Sequence, residues 1–193
     1  GPSDVVYLQV VSRALQARGR TGLDERWTIC PTGGLDKVWS FSSLFRGNNL
    51  NIAVLCDYGK GDKSKVERLR QSQILKSERV LTASDFTEKP ESDVEDLFDG
   101  TFYCTLVNQA LGLKEGEITA DKAEAADQNT CRIVKQVEAL CRTLPANTLD
   151  FSHYLPADYL MRNPQILDGE GEPVTGTLDC FEKVFKALNG FLD

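Results

Sequence analysis

The sequence predicts an α/β fold in which a parallel sheet is flanked by helices and followed by a helical appendage. Segments with a helical repeat of apolar residues alternate with short apolar segments up to residue 112, as in chains that build parallel sheets. The nearly continuous apolar run Leu50–Cys56 is typical of a central strand that is covered on both faces. Beyond residue 112 the pattern becomes helical, so we expect a core at 1–112 and an appendage at 113–193.

The individual elements follow from local patterns in chain order. Apolar residues at near-helical spacing predict a first helix from Ser3, a suitable N-cap, to Gly19. Trp27–Pro31 is predicted to be a short strand that ends in a glycine turn, and Val38–Phe45 a helix. Later segments are predicted as helix 63–75, strand 80–82, an acidic loop at 85–99, helix 102–111, a helical region from Ala123 that includes 133–141, an exposed loop at 163–176 and a last helix across 178–188.

Length and composition limit the classes of function. The 193 residues, of which 41% are apolar, suit one compact domain or a core with a small appendage. The chain has no run of about 18 apolar residues and does not start with a signal-peptide layout, so we expect a cytoplasmic protein without membrane contact. Its six cysteines form no C-x-x-C pair, which favours free thiols over a zinc site.

The net charge of −7 argues against nonspecific nucleic-acid binding by the whole surface, because duplex affinity comes largely from Lys and Arg. One segment is an exception. Residues 60–79 contain seven basic and three acidic residues, a local charge of +4. The candidate phosphate contacts in this basic segment are Lys60, Lys63, Lys65 and Arg68. The alternative is a solvated helix face, which charge runs commonly are.

Acids that follow predicted strands form the candidate site, because ligands of open α/β sheets bind at the carboxyl ends of the strands. Asp57 directly follows the predicted central strand, and Asp62 comes five residues later across a loop with two glycines. Carboxylate oxygens are the ligands that hard cations prefer. The alternative is an acid in a strand-ending turn beside a surface acid.

A second group of acids precedes an apolar Leu-Phe pair. Asp93, Glu95 and Asp96 lie within four residues, and like charges this close repel unless a cation is bound. An extended backbone would direct Asp93 and Glu95 to the same side. The alternative is a set of solvated acids that favour the dipole of the next helix. A third candidate, Asp4, lies in the first helical turn, where an acid is equally expected for helix stability.

Taken in order, these segments resemble the Toprim domain of OLD-family (overcoming lysogenization defect) ATP-dependent endonucleases. The resemblance rests on Gly1-Pro2-Ser3-Asp4-Val5, on the apolar strand that ends in Asp57, and on Asp93-Val94-Glu95-Asp96-Leu97-Phe98. The segments 22–24, 31–34 and 151–157 support it, so it spans most of the chain. It implies a Toprim-like sheet at 1–112, whose first strand and terminal Glu would precede Gly1. The family's later Asp-x-Asp has Gly59 in place of its second Asp, with Asp62 as the nearest substitute.

The resemblance implies a metal-dependent DNA endonuclease that hydrolyses phosphodiesters with two Mg²⁺ or Mn²⁺ ions. The implied ligands are Asp4, Asp93 and Glu95 for one ion, Asp57 and Asp62 for the other, and Asp96 as an alternate ligand. Two cations would let an acidic site accept a phosphate, while the basic segment positions the DNA backbone. The chain has no G-x-x-x-x-G-K-[ST] motif, so the implied partner is an ATPase domain upstream in the same protein, with oligomers possible through that part.

Two alternatives from other classes remain open. One is a catalytically inert Toprim-like module for interaction or dimerisation, and the other is a metal-binding regulatory domain without a nucleic-acid substrate. A transition-state lysine is expected in such a nuclease, and Lys60, Lys63 and Lys89 lie nearest to the acids along the chain. The single histidine, His153, is more typical of a structural or surface residue than of a catalytic one.

Overall fold

The computed structural model describes residues 1–45, 50–72, 75, 79–145 and 151–192. These residues form an α/β fold with a small parallel sheet. In chain order the elements are α1 (Pro2–Ala17), α2 (Leu35–Leu44), β1 (Val54–Cys56), α3 (Lys63–Arg70), β2 (Val80–Thr82), α4 (Gly100–Ala110), α5 (Ala120–Ala126), α6 (Ile133–Cys141), α7 (Tyr154–Arg162) and α8 (Glu172–Asn189), with 3-10 helices at Ala83–Asp85, Val94–Leu97 and Pro164–Asp168.

The sheet lies between two hydrophobic clusters. β1 and β2 pair in parallel, with Val54 opposite Val80 and Leu55 opposite Leu81. Because side chains alternate along a strand, Val54 and Val80 face a small cluster with α2 and α3, while Leu55 and Leu81 face the main core. Helix α3 connects the two strands, so the unit is a β-α-β crossover.

The main core is built by helices from both halves of the chain. Helix α1 packs against α7 and α8, and α4 packs against the same two helices. Phe98 lies at the centre of this core: its ring is 4.9 Å from the ring of Tyr7 in α1 and 4.8 Å from that of Phe181 in α8. The residues on both sides of the expected boundary at 112 therefore share one hydrophobic cluster, and the boundary itself stays a prediction.

Several predicted elements are confirmed. Strand 80–82 has the predicted bounds, and the helices expected at 38–45, 102–111 and 178–188 all form. The first helix forms too, but it begins at Pro2, so Ser3 is inside the helix and not its cap. The glycine turn before α2 has positive φ angles at Gly33 and Gly34, which residues with a side chain rarely adopt. All six cysteines are free thiols; they were expected to be buried, but only Cys104 is, and Cys30 is exposed.

The sheet is smaller than predicted. The run Leu50–Cys56 forms a strand only at its last three residues, and in a two-stranded sheet it is not a central strand. Trp27–Pro31 forms no strand, because no neighbouring strand pairs with it in the described ranges. Helix α3 ends at Arg70, and residues 73 and 74 of the predicted helix lie outside the described residues.

The segment 163–176 is largely exposed, as expected, but the prediction of a loop is wrong for most of its length. Pro164–Asp168 is a 3-10 helix, and α8 already begins at Glu172. The prolines of this segment, Pro164 and Pro173, lie in the first turns of these helices. Proline is favoured there because its missing N–H would have no partner in the helix.

Candidate functional site

The end of β1 places Asp57 beside residues 93–97, which contain Asp93, Glu95 and Asp96 and which we call the acidic segment. The residue after Asp57, Tyr58, forms an antiparallel bridge with Ser92: the Tyr58 N–H donates to the Ser92 carbonyl at 2.8 Å and the Ser92 N–H donates back at 2.9 Å. The Val94 N–H then donates to Oδ1 of Asp57 at 3.0 Å. Asp57 and Val94, which are 37 positions apart in the sequence, are thus held together by a hydrogen bond from a backbone N–H to a carboxylate, next to the backbone bridge between Tyr58 and Ser92.

The acidic segment is a buried 3-10 helix and not a solvated loop. Asp93, Glu95 and Asp96 are 2%, 4% and 6% exposed. The expected alternation of Asp93 and Glu95 along an extended strand is therefore wrong, and so is the alternative of solvated acids. Phe98 anchors the segment in the main core, which explains why the acids cannot turn towards water.

Five of the six predicted acids, Asp4, Asp57, Asp93, Glu95 and Asp96, influence one another electrostatically. Asp57 is exposed as a residue, but protein atoms crowd its carboxyl group: this desolvation, followed by the charges of Asp93 and Asp4, raises the pKa of Asp57 to about 6. Burial, followed by the charges of Asp57 and Asp4, raises the pKa of Glu95 well above its ordinary value. The side chains of Asp4, Asp57, Asp93 and Glu95 come from three separate segments and form what we call the carboxylate cluster.

Arg132 is the main counterion of this cluster, and the sequence patterns did not single it out. Its guanidinium donates to both carboxylate oxygens of Asp93, from Nε at 2.8 Å and from Nη2 in a shorter contact. Burial alone would lower the pKa of Arg132, but the hydrogen bond and the charge of Asp93 raise it. Burial raises the pKa of Asp93, and the hydrogen bond from Arg132 opposes that rise.

Asp96 is held by structural contacts. Lys89 Nζ lies 2.5 Å from Oδ1 of Asp96, and the backbone N–H of Ile133 donates to the same oxygen at 2.9 Å. The backbone N–H of Asp93 donates to Oδ2 at 2.8 Å. Asp96 therefore joins the acidic segment to the first residue of α6, and Lys89 neutralises its charge.

Asp62 does not pair with Asp57. Its carboxylate accepts a hydrogen bond from the Gly59 N–H at 3.1 Å, inside the turn that leads to α3. A Cβ at Gly59 would lie 3.1 Å from Nη1 of Arg132 and 3.5 Å from Oδ2 of Asp62. The residue that departs from the Asp-x-Asp pattern is thus the place where the turn approaches Arg132, and glycine leaves room for that approach.

The basic segment lies on the surface next to the cluster. Lys60 is highly exposed, with Nζ 3.3 Å from the Asn129 carbonyl and 3.7 Å from Glu91. On α3, Lys63 and Arg68 are exposed, and Lys65 forms an ion pair with Asp36 at 3.0 Å. The arginines Arg70 and Arg79 of the same run have structural contacts instead, to Val80 and to Phe191.

His153 lies elsewhere. It is exposed, its ring is 5.8 Å from that of Phe151, and it interacts electrostatically with Glu138 in the C-terminal half of α6. The other end of α6 faces the carboxylate cluster through Arg132. This position favours a surface role for His153.

Two buried phenols lie next to Glu95. Tyr7 and Tyr103 are fully buried, and their hydroxyls approach each other without hydrogen-bond geometry; neither has a partner among the described residues. Burial, followed by the charge of Glu95, raises the pKa of Tyr7 well above its ordinary value. Both phenols therefore stay neutral, and their O–H groups are hydrogen-bond donors without an acceptor among the described residues.

The donor set has the chemistry of a site for a hard cation. Carboxylate oxygens are the preferred ligands of Mg²⁺ and Mn²⁺, and a cation among Asp4, Asp57 and Glu95 would relieve their repulsion. Among the described residues, no three His, Cys, Asp or Glu side chains already converge as a finished metal site. The residues thus fit the ion in type and charge.

Comparison with protein-family models, curated proteins and solved structures finds no match for this chain. None of the helices in the described ranges combines the length and the apolar character that crossing a bilayer requires. The functional conclusion therefore depends on the cluster itself and on the motif resemblance.

Proposed function

We propose that this chain is a Toprim-like nuclease module that hydrolyses DNA phosphodiesters with Mg²⁺ or Mn²⁺ bound at the carboxylate cluster. The observation that supports the proposal is the hydrogen bond from the Val94 N–H to Asp57, which joins the segment of Asp93 and Glu95 to the carboxyl end of a parallel strand, where α/β folds bind ligands. Asp4 acts on Asp57 and Glu95 electrostatically. An acid cluster formed by chance at a surface would not bury Glu95 in the protein.

The carboxylates Asp4, Asp57 and Glu95 would hold the metal. When bound, Mg²⁺ or Mn²⁺ supplies Lewis-acid polarisation of a phosphate and a bound water that is acidic enough to react at neutral pH. The exposed surface of Asp57 leaves that side of the cluster open to a substrate. Glu95 is buried, and its neighbours Val94 and Leu97 lie in the main hydrophobic core, which holds this part of the chain in place.

The basic segment would orient the DNA. Lys60, Lys63, Lys65 and Arg68 lie in or just after the turn that follows Asp57, so cations flank the acids on one side. Phosphate contacts from such residues fix the position of the backbone without reading the base sequence. This arrangement reconciles DNA binding with the overall charge of −7.

The resemblance to OLD-family endonucleases extends the proposal to partners. An ATPase domain upstream in the same protein would control access of DNA to the cluster, and oligomers would form through that part. The inert interaction module and the metal-binding regulatory domain are the other outcomes of the test below.

The test is cleavage of supercoiled plasmid in Mg²⁺ or Mn²⁺ by the wild-type chain, by Asp57→Asn and by the control Asp121→Asn. Asp121 is an exposed acid in the first turn of α5, so this control removes the same charge away from the cluster. We expect nicked or linear product from the wild type and the control, and none from Asp57→Asn.

Equal cleavage by Asp57→Asn would exclude the cluster as the active site. Metal binding without any cleavage would favour the regulatory domain, and neither binding nor cleavage would favour the inert module.

A further inference from the structure

Arg132 and Asp93 form an ion pair with a fixed geometry. The guanidinium donates from Nε at 2.8 Å to one oxygen of Asp93 and from Nη2, in a shorter contact, to the other. Two parallel hydrogen bonds of this kind set the plane of a guanidinium as well as its position. The side chain of Asp93 is 3% exposed and that of Arg132 is 23% exposed. The carboxylate is therefore closed to solvent, and the accessible part of the pair belongs to Arg132.

The pair occupies only one edge of the guanidinium. An arginine side chain carries five N–H groups on a rigid planar fork, and Asp93 takes one from Nε and one from Nη2. The opposite edge, formed by Nη1 and the second N–H of Nη2, has no acceptor in the part of the chain that the structure describes. Such an edge matches two oxygens of a phosphate, because arginine binds phosphate and carboxylate groups in the same two-point manner. Arg132 can therefore hold Asp93 and a phosphate at the same time.

Arg132 reaches the turn that follows β1. A Cβ at Gly59 would lie 3.1 Å from Nη1 of Arg132, which is tighter than an ordinary van der Waals contact. The φ angle of Gly59 is not positive, so the close approach of the guanidinium, and not the backbone conformation, favours glycine here. Gly59 comes two residues after Asp57, so Nη1 lies beside the carboxyl end of β1. This is the end of a strand at which α/β folds bind ligands.

Lys60 brings a second cation to the same turn. Its Nζ lies 3.3 Å from the carbonyl oxygen of Asn129, three residues before Arg132. Lys60 thus reaches from the turn to the segment 129–132, while Arg132 reaches from that segment back to the turn. Glu91, 3.7 Å from Nζ, offsets part of this charge, but the Lys60 side chain is 79% exposed and keeps access to a ligand. Two cationic side chains therefore lie on one stretch of surface.

We infer that Arg132 contacts a phosphate of the bound DNA through the edge that contains Nη1, and that Asp93 is the residue that positions it. This inference rests on the proposed nuclease function. It adds a substrate contact that no sequence motif indicated, and it gives Asp93 a role other than the ligand role that the motif resemblance implies. Because the buried partner fixes the guanidinium before DNA binds, less conformational entropy is lost on binding.

The test is the affinity of the chain for a short fluorescein-labelled DNA duplex, measured by fluorescence anisotropy at about 50 mM salt, where phosphate contacts are strong. EDTA in the buffer prevents cleavage, so binding is measured apart from metal-dependent activity. The double variant Arg132→Gln with Asp93→Asn removes the pair and keeps the net charge at −7. We expect it to bind the duplex more weakly by about 10-fold or more, because hydrogen bonds to a charged group are lost.

The double variant Arg142→Gln with Glu138→Gln is the matched control. These residues form a surface pair at 2.7 Å near the other end of α6, so the control also removes one pair at constant net charge. We expect its affinity to stay within about twofold of the wild type. A general effect of charge or of α6 would lower the affinity of both double variants.

Gly59→Ala tests the same contact without changing a charged residue. Its Cβ should press on Nη1 and weaken DNA binding by about threefold or more, whereas Gly61→Ala, which has open space, should bind within about twofold of the wild type. Arg132→Lys keeps the charge but loses the planar fork, so its affinity should lie between those of the wild type and of the Arg132 double variant.

Equal DNA affinity of the wild type and of the Arg132 double variant, both folded as judged by circular dichroism, would overturn this inference. Plasmid cleavage by the wild type in Mg²⁺ or Mn²⁺ would in that case leave the nuclease proposal standing. No DNA binding by the wild type would also overturn the inference, and the absence of cleavage would then overturn the proposed function with it. If the double variant does not fold, Gly59→Ala decides, since an affinity equal to that of Gly61→Ala would contradict the contact.

Discussion

Asp96 offers the sharpest test of the packing around the site, because its contacts assign it to the fold and not to the metal. Replacing it with Ala in metal-free buffer removes three hydrogen bonds to a buried charge and leaves the Asp93 and Ile133 N–H groups without their acceptor. Hydrogen bonds to charged groups contribute about 1.5 to 3 kcal/mol each, and a buried donor left without an acceptor costs about 1 to 3 kcal/mol. These effects overlap, so we expect Asp96→Ala to lower the free energy of unfolding by about 3 to 5 kcal/mol.

Lys89→Met, the variant of the partner residue, should lower the free energy of unfolding by less. The Lys89 side chain is 37% exposed, and Lys89→Met leaves Asp96 with two backbone donors. We expect a loss of about 1 to 2 kcal/mol for Lys89→Met. Asp158→Ala, which breaks an exposed i,i+4 pair with Arg162, is the control and should cost at most about 0.5 kcal/mol.

The assay is urea unfolding followed by circular dichroism, with EDTA present in all samples. The slope against urea should stay the same across the variants, so that the shift in midpoint reports stability alone. A loss below about 1 kcal/mol for Asp96→Ala, or a larger loss for Lys89→Met than for Asp96→Ala, would refute the assignment of Asp96 as the buried anchor of α6.

Three further variants probe the cluster and the packing of α1. Asp57→Asn should raise the metal-free free energy of unfolding at pH 7 by about 1 kcal/mol after allowance for solvent screening, because it removes a charge that the fold disfavours. It should also abolish stabilisation by Mn²⁺ in a thermal-shift assay. A hydrogen bond from Arg20 lowers the pKa of Glu182 to about 2. The ionised Glu182 therefore stabilises the folded protein fully above pH 4.5, and this stabilisation is lost as the pH falls towards 2. The urea midpoints of the wild type and of Glu182→Gln should differ at pH 7 and converge near pH 2. Gly22→Ala should cost about 1 to 3 kcal/mol in urea unfolding, because its Cβ would lie 2.7 Å from a backbone carbonyl oxygen of α1, whereas Gly61→Ala, which has open space, should be nearly neutral.

The acids of the candidate site stay a prediction, whereas the structure tests the predicted sheet and finds it smaller. Asp4, Asp57, Asp93 and Glu95 were selected by local rules, namely acids at a helix start and after apolar segments; in the structure the Val94 N–H hydrogen bond joins Asp57 to the segment of Asp93 and Glu95, and Asp4 acts on Asp57 and Glu95 electrostatically. Strand pairing is a long-range property, so the apolar pattern of Trp27–Pro31 could not reveal that it has no partner strand in the part of the chain that the structure describes.

Arg132 was missed because it belongs to no motif and lies 39 residues after its partner. A weak signal was present. Arg132 is the N-cap residue of α6, where a positive charge is unfavourable for the helix dipole. A cation at a helix start indicates that an acid from elsewhere compensates it, but only the fold shows that this acid is Asp93.

The loop predicted at 163–176 failed for a related reason. Its prolines and glycines predict irregular structure, yet Pro164 and Pro173 lie in the first turns of helices. Proline ends a helix when it falls inside one and favours a helix when it falls in the first turn, and local composition does not separate the two cases.

The central claim is that the carboxylate cluster holds the metal, and the anomalous scattering of Mn²⁺ in crystals of the chain tests it most directly. The account predicts one strong peak at about 2.1 Å from oxygens of Asp57 and Glu95, with the Arg132 pair to Asp93 intact. A peak at another group of residues, or no peak at a saturating Mn²⁺ concentration, would contradict it.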